Sequence, residues 1–159
     1  MSQPRIAKFH PLSSIDDKTI IRMPQRATAG SAGYDIFLNE NIYLTPGSER
    51  VIETKLKCEI DPGWFLQIVP RSGLGFKYQV RLANTVGIID SDYFNNEKNE
   101  GHIMVKLVNG GKEALKLEAG SAFCQAIFLP YGITRDDNPE KEIRVGGFGS
   151  SGNTGDALK

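Results

Sequence analysis

Residues 87–93 read Gly-Ile-Ile-Asp-Ser-Asp-Tyr, an apolar run that delivers two acids and an aromatic ring at its end. In an extended chain successive side chains alternate faces. Ile88, Asp90 and Asp92 then share one side, and Ile89, Ser91 and Tyr93 share the other. Two readings are open at this point. The run is a strand that ends in a solvated turn, or it carries carboxylates beside a buried surface, where their desolvation is costly.

The segments on either side repeat the pattern of short strands between turns. Upstream, Val80–Asn84 reads as the partner of 87–90 in a hairpin, and Ser72–Tyr78 as one or two helical turns with Ser72 as N-cap. Before them, Trp64–Val69 is a compact apolar strand that stops at Pro70, and Asp61-Pro62-Gly63 is a turn. Residues 50–60 alternate, 41–45 and Tyr34–Leu38 read as strands, and Thr28–Gly33 is a loop of small residues. Residues 1–32 are irregular in pattern, with one short apolar piece at Ile20–Ile21. Downstream, 94–101 is a polar loop and His102–Val108 alternates. Asn109-Gly110-Gly111 turns, Ala114–Leu117 resumes, and a long apolar strand runs over Ala122–Leu129. Many short strands with almost no helical periodicity predict an all-β fold, a distorted jelly roll or β-barrel with at most one short helix. The chain divides into a single β domain over 1–143 and a glycine-rich arm over 144–159, which has little to bury and is mobile until a ligand orders it.

Composition narrows the function. With 19 basic and 19 acidic residues among 159, the formal charge is zero. Neither general nucleic-acid binding nor attachment to a membrane surface is indicated, while a small anion held by a few residues stays open. No run is long and apolar enough for a signal peptide or a membrane span. Cys58 and Cys124 lie in apolar, strand-like runs and read as reduced core residues of a cytoplasmic protein. The only histidines are His10 and His102, so a Ser-His-Asp or Cys-His nucleophile system and a His-rich zinc site both lack parts. If the chain is an enzyme, its base is a carboxylate and its metal, if it has one, is held by oxygen.

Four more stretches carry chemistry. At Pro70-Arg71-Ser72-Gly73 a strand ends where a helix starts, so backbone N–H groups, a hydroxyl and a guanidinium converge on an anion, or simply cap a helix. Ala32-Gly33-Tyr34-Asp35 sets an acid one residue into a strand, as a solvated edge or a site. Gln125 sits inside an apolar run, so its amide either ties strands together or faces a ligand. The tail from Arg144 lacks the Lys-Ser/Thr ending of a P-loop; Phe148 within it is an aromatic able to close over a flat ring.

The order of these stretches is more specific than any one of them. Ala-Gly-Tyr-Asp at 32–35, Pro-Arg-Ser-Gly-Leu at 70–74, Asn84 with Gly-Ile-Ile-Asp-Ser-Asp-Tyr at 87–93, Gly120 with Gln125, and Arg144 with Gly-Gly-Phe-Gly-Ser-Ser-Gly at 146–152 closely resemble the five ordered motifs of the trimeric dUTPase family. The resemblance covers residues 29–152. It implies a homotrimer of jelly-roll subunits with shared active sites that hydrolyses dUTP to dUMP and pyrophosphate with Mg²⁺. By position, Asp90 is then the group that activates the attacking water. Asn84 and the backbone of Gly87, Ile88 and Ile89 read the uracil edge, Met104 walls the base pocket, and Tyr93 packs under the deoxyribose and excludes a 2′-hydroxyl. Arg71, Ser72, Gly73 and Gln125 resemble the phosphate contacts, Arg144 the clamp on the terminal phosphate, and Asp35 the acid that meets the metal through water. Phe148 stacks on the uracil, with Gly149 and Ser150 beside it.

Three departures from the family pattern stand out. The loop at 94–100 is longer, Ala122 replaces a residue that is often basic, and only Val145 separates Arg144 from the glycine pair. A dCTP deaminase on the same fold, and a regulatory interaction protein switched by nucleotide, are the alternative readings. The first needs an additional acid in the base pocket, and the second is motivated by the longer loop.

Overall fold

Burial on every second residue sets the strands. In Leu56-Lys57-Cys58-Glu59-Ile60 the first, third and fifth side chains are buried and Glu59 is exposed, the pattern of a strand with one face on a core. A computed structural model describes residues 3–139. Among them β1 (Ala7–Pro11), β2 (Gln25–Arg26), β3 (Tyr34–Phe37), β4 (Ile42–Leu44), β5 (Glu49–Glu53), β6 (Leu56–Ile60) and β7 (Trp64–Pro70) precede one helix, α1 (Ser72–Tyr78). Then come β8 (Val80–Leu82), β9 (Gly87–Ile89), a 3-10 turn (Ser91–Tyr93), β10 (Met104–Asn109), β11 (Leu115–Leu117) and β12 (Ala122–Pro130).

These strands pair antiparallel. A five-stranded sheet runs β2-β3-β12-β7-β9 and a three-stranded sheet β5-β10-β8, with β1-β6 and β11-β4 as two-stranded pieces. They enclose one core, to which Ile36, Leu66 and Phe123 come from the large sheet, Ile52, Leu82 and Leu107 from the second, and Leu56, Leu44 and Leu115 from the smaller pairs. This is the all-β, jelly-roll-like architecture the strand pattern predicts, with its single short helix. No helix among the described residues is long and apolar enough to cross a membrane.

Several local expectations change. Residues 1–32 are not irregular throughout, because β1 pairs with β6 and β2 with β3. β1 shows no alternation of burial. Its anchor is one aromatic, Phe9, whose ring lies 5.7 Å from Tyr34 and 5.8 Å from Phe128. The alternating run 50–60 is two strands, parted at Lys55 in the left-handed region (φ 62°). There the buried Thr54 hydroxyl donates to the Ile103 carbonyl (2.7 Å) and accepts from the Leu56 N–H (3.1 Å). The expected hairpin of β8 and β9 is absent, since β8 pairs with β10 and β9 with β7. An isolated Leu82–Thr85 bridge closes the turn after β8, and the chain crosses between sheets there with Thr85 at φ 70°. Ser72 is not the N-cap of α1. That position is Arg71, with extended backbone and no side-chain cap bond.

Cys58 and Cys124 are free and buried, as the sequence predicts. Burial pushes the Cys58 thiol up to about 12 and the Cys124 thiol up as well, which leaves both as unreactive thiols. Asn109 is fully buried, and its Nδ2 donates to the carbonyls of Leu44 (3.0 Å) and Glu113 (2.9 Å) while its Oδ1 accepts from the Gly111 N–H (3.0 Å). One amide thus ties β4, β10 and the turn before β11. Removing it strands buried carbonyls, and Asn109→Ala is expected to destabilise the fold by about 2–4 kcal/mol, read from urea unfolding.

His102 predicts a pH dependence. Its Nε2 accepts the Lys55 N–H (3.2 Å), which requires a neutral nitrogen, and burial holds its pKa below the ordinary histidine value. The unfolded chain then binds a proton that the folded chain resists, so stability falls as pH drops below about 6.5. His102→Gln, which keeps an acceptor and does not titrate, is expected to flatten the fall in melting temperature between about pH 7 and 5.

Candidate active site

β12 is the only strand of the large sheet with long partners on both edges, and its register sets which side chains meet. Ala122 pairs with Phe37, yet Cys124 pairs with Ile36, so Phe123 is an extra residue, a β-bulge. Without it, Cys124 would face Asp35. With it, Gln125 pairs with Asp35 on β3 and with Val69 on β7. The bulge also explains why Phe123 and Cys124 are both fully buried. The next row across the sheet is Tyr34, Ala126, Ile68 and Gly87. Stretches separated by more than ninety positions in the chain are thereby brought into neighbouring rows.

Just beyond β7, the Arg71 Nε reaches Asp35 Oδ1 at 3.2 Å, with the Asp35 side chain the less exposed partner. Gly33 lies against Gln125. A Cβ built on Gly33 would sit 2.3 Å from Gln125 Oε1, so a side chain there requires the Gln125 amide to move. Asp35, Gln125 and Arg71 therefore form a half-buried polar row, beside which Ser72 and Gly73 open α1 on the surface.

At the other edge of the sheet, β9 pairs with β7 and, among the described residues, with no second strand. Such a strand directs half of its backbone N–H and C=O groups away from its partner. Beside β9 lies a cleft of about 220 Å³ lined by Ile68, Leu82, Asn84, Val86, Gly87, Ile88, Ile89, Met104 and Val105. A second hollow of about 290 Å³ shares Asn84 and Met104 with it and reaches Val51, Ala83 and Lys106.

Asp90 follows β9 directly. It is exposed, has extended backbone (φ −76°, ψ 158°) and accepts the Tyr93 N–H at its carbonyl (3.1 Å) as the chain enters the 3-10 turn. Extended backbone therefore ends at Asp90. Burial still alternates as expected, with Ile89 and Tyr93 buried and Asp90 and Asp92 exposed. Tyr93 is only 3% exposed and is not among the side chains that line the cleft. Its hydroxyl donates to the His102 carbonyl (2.9 Å) and accepts from Asn99 Nδ2 (2.7 Å).

Of the residues singled out in the sequence, Asn84, Gly87, Ile88, Ile89 and Met104 share the cleft, with Asp90 next in the chain. Asp35, Arg71 and Gln125 share the polar row. Arg144, Phe148, Gly149 and Ser150 lie outside the described residues. Ile68, Leu82, Val86 and Val105 line the cleft without having been singled out. Ile68, Leu82 and Val105 carry the alternation of ordinary core strands, and nothing in their local sequence marks a pocket wall. Among the described residues no three His, Cys, Asp or Glu side chains gather as a metal cage.

Comparison with known proteins bears on the family and the fold. The sequence model of the dUTPase family matches residues 19–152. A deoxyuridine 5'-triphosphate nucleotidohydrolase of Lactococcus lactis subsp. lactis is 41% identical over 133 residues, 83% of this chain and 89% of that protein. The crystal structure of the dUTPase from Streptococcus mutans superposes with a TM-score of 0.69 at 33% identity, covering 79% of this chain and 97% of its own. The dUTPase of S. aureus phage phi11, described as coordinating a structural Mg(II) ion, shares the fold with a TM-score of 0.66 at 21% identity, over 86% of this chain and 98% of its own.

The contact between Gly33 and Gln125 is open to a direct check. Gly33→Ala is expected to rotate the flexible Gln125 amide out of its row and lower the melting temperature by no more than about 4 °C. A crystal structure of the variant with Gln125 unmoved would contradict the account of the row.

Proposed function

The chain belongs to the dUTPase family and is an enzyme that hydrolyses dUTP, and from that premise we propose that Asp90 activates the water that attacks the α-phosphorus to give dUMP and pyrophosphate. The observation that carries this reading is the position of Asp90 at the end of an edge strand whose backbone, with Asn84 and Met104, bounds a cleft. Water is a poor nucleophile and needs a base within hydrogen-bond reach. Neither His10 nor His102 lines the cleft, whereas the Asp90 carboxylate follows the lining residue Ile89 directly.

The cleft, at about 220 Å³, is below the range of about 300–1,000 Å³ that holds a drug-sized ligand. It suits a single ring. In this reading Asn84 and the backbone of Gly87, Ile88 and Ile89 hydrogen-bond the uracil edge, and Met104 walls the ring. A site built to pair its polar groups with one base edge rejects bases that leave them unpaired. Tyr93 underlies the deoxyribose and denies volume to a 2′-hydroxyl.

The triphosphate must lie outside the ring pocket, where charge is met by donors. Arg71, Ser72, Gly73 and Gln125 take that part. The subunits form a homotrimer with shared sites, so the polar row and the cleft that complete one site come from different copies of the chain. Residues 1–143 form the β domain and 144–159 the arm, which brings Arg144 to the terminal phosphate and Phe148, Gly149 and Ser150 over the base. The free, buried cysteines suit a cytoplasmic setting.

The donor set fits Mg²⁺. This ion prefers oxygen, keeps several waters, and is bound through one or two carboxylates plus substrate phosphates rather than by a protein cage. Asp35, which pairs with Arg71, is the carboxylate that would hold the ion, through water, beside the phosphate contacts. Bound there, the ion neutralises phosphate charge. The reaction itself asks three things of the chain: hold the base, align the α-phosphate, and keep Asp90 ionised next to the water.

The test is turnover of dUTP with Mg²⁺, followed as pyrophosphate release. Asp90→Asn is expected to lower kcat by about 10²–10⁴-fold while a nonhydrolysable dUTP analogue binds with little change. A variant as active as the parent would remove Asp90 from the mechanism.

A further inference from the structure

Residues 94–101 are polar in sequence, yet they are cross-braced rather than loose, and the bracing converges on Tyr93. Asn96, only 7% exposed, donates from Nδ2 to the Tyr93 carbonyl (2.8 Å) and to Asn99 Oδ1 (2.7 Å). Its Oδ1 accepts the N–H groups of Lys98 (3.1 Å) and Asn99 (3.2 Å). Asn99 Oδ1 also accepts the Gly101 N–H (3.2 Å). Both contacts to that oxygen fix the orientation of the amide, which leaves Asn99 Nδ2 directed at the Tyr93 hydroxyl (2.7 Å). Gly101 closes the loop at φ +82°, where a Cβ would fall 2.7 Å from the Tyr93 carbonyl.

The loop is in turn fastened to the barrel. Glu100 accepts from the Ser13 N–H (3.0 Å) and hydroxyl (2.8 Å) and pairs with Lys57. Lys57 also donates to Asn95 Oδ1 (2.7 Å). The Phe94 ring lies 5.4 Å from that of His10.

We propose that Asn99 is a positioning residue: through the Tyr93 hydroxyl it fixes the depth of the Tyr93 ring, and so sets the discrimination between deoxyribose and ribose nucleotides. The proposal rests on the reading of Tyr93 as the ring beneath the sugar. A wall that excludes one oxygen atom works only while it is held to within about 0.5 Å. The hydroxyl of Tyr93 meets the His102 carbonyl, just before β10, and Asn99 on the loop. Loss of Asn99 removes the donor that holds the hydroxyl from the loop side.

The experiment compares kcat/KM for dUTP and UTP in the parent, Asn99→Ala and Asn99→Asp. The aspartate keeps the size and the acceptor oxygen and loses the NH₂ donor, so it serves where alanine fails to fold. Each variant is expected to lower the dUTP-to-UTP ratio about five- to tenfold, the loss of one buried hydrogen bond, mostly through faster UTP turnover. In a Tyr93→Phe background the Asn99 substitutions should change the ratio no further. A merely structural role would lower melting temperature and both activities in parallel with the ratio intact. Unchanged ratios in both variants overturn the positioning role alone, and so do additive effects in the Tyr93→Phe background. A parent that turns over dUTP and UTP equally overturns the reading of Tyr93 and this inference together. A parent without dUTP turnover overturns the assignment of function from which both descend.

Discussion

One extra residue in β12 governs the rest of the arrangement. Phe123 is buried in the core, and the β12–β3 pairings beyond it shift by one position, which sets Gln125 across from Asp35; on its other side Gln125 pairs with Val69. Side chains on a strand alternate with period two, so a one-residue slip would send Gln125 to the face now held by Cys124 and Ala126. Those two are fully buried. A polar amide there would lack water and partners, and the correct register is enforced by that cost. β7 is paired to β12 along its length and β9 to β7, so the cleft beside β9 is held to the same central strand.

The polar row adds little to stability by itself. The Arg71–Asp35 pair is partly exposed on both sides, and such pairs contribute about 0–1 kcal/mol. The stabilising contributions sit elsewhere, in the apolar core and in fully satisfied buried groups such as Asn109 and Thr54. The separation has a functional side. Residues that meet an anion keep the solvent access that a triphosphate needs, while the scaffold that aims them is dry.

Much of this was legible in the sequence because it follows period two. The strands from Tyr34 onward and the one short helix announce themselves, and the stretches around Asp35, Arg71, Asn84 and Gln125 mark residues that lie in the cleft or the polar row, with Asp90 next in the chain to the cleft. What the sequence hid has identifiable causes. β1 is held by Phe9 rather than by alternation. The two apolar runs around Asn84 look like a hairpin, and only the tertiary partners reveal that they enter different sheets. The bulge at Phe123 leaves no local signal, since two adjacent apolar residues are ordinary in a buried strand. The loop at 94–100 reads as loose polar chain, whereas the amides of Asn96 and Asn99 order it from within.

The central claim is that a carboxylate at the end of an edge strand holds a water against the innermost phosphorus of a nucleotide whose base lies in the adjoining cleft. The direct measurement is a crystal structure of the assembled protein with Mg²⁺ and a nonhydrolysable dUTP analogue. The account predicts uracil against the backbone of Gly87–Ile89 and a water about 2.6–3.2 Å from an Asp90 oxygen, in line with the α-phosphorus. A base bound elsewhere, or Asp90 directed into bulk solvent away from the phosphates, would contradict it.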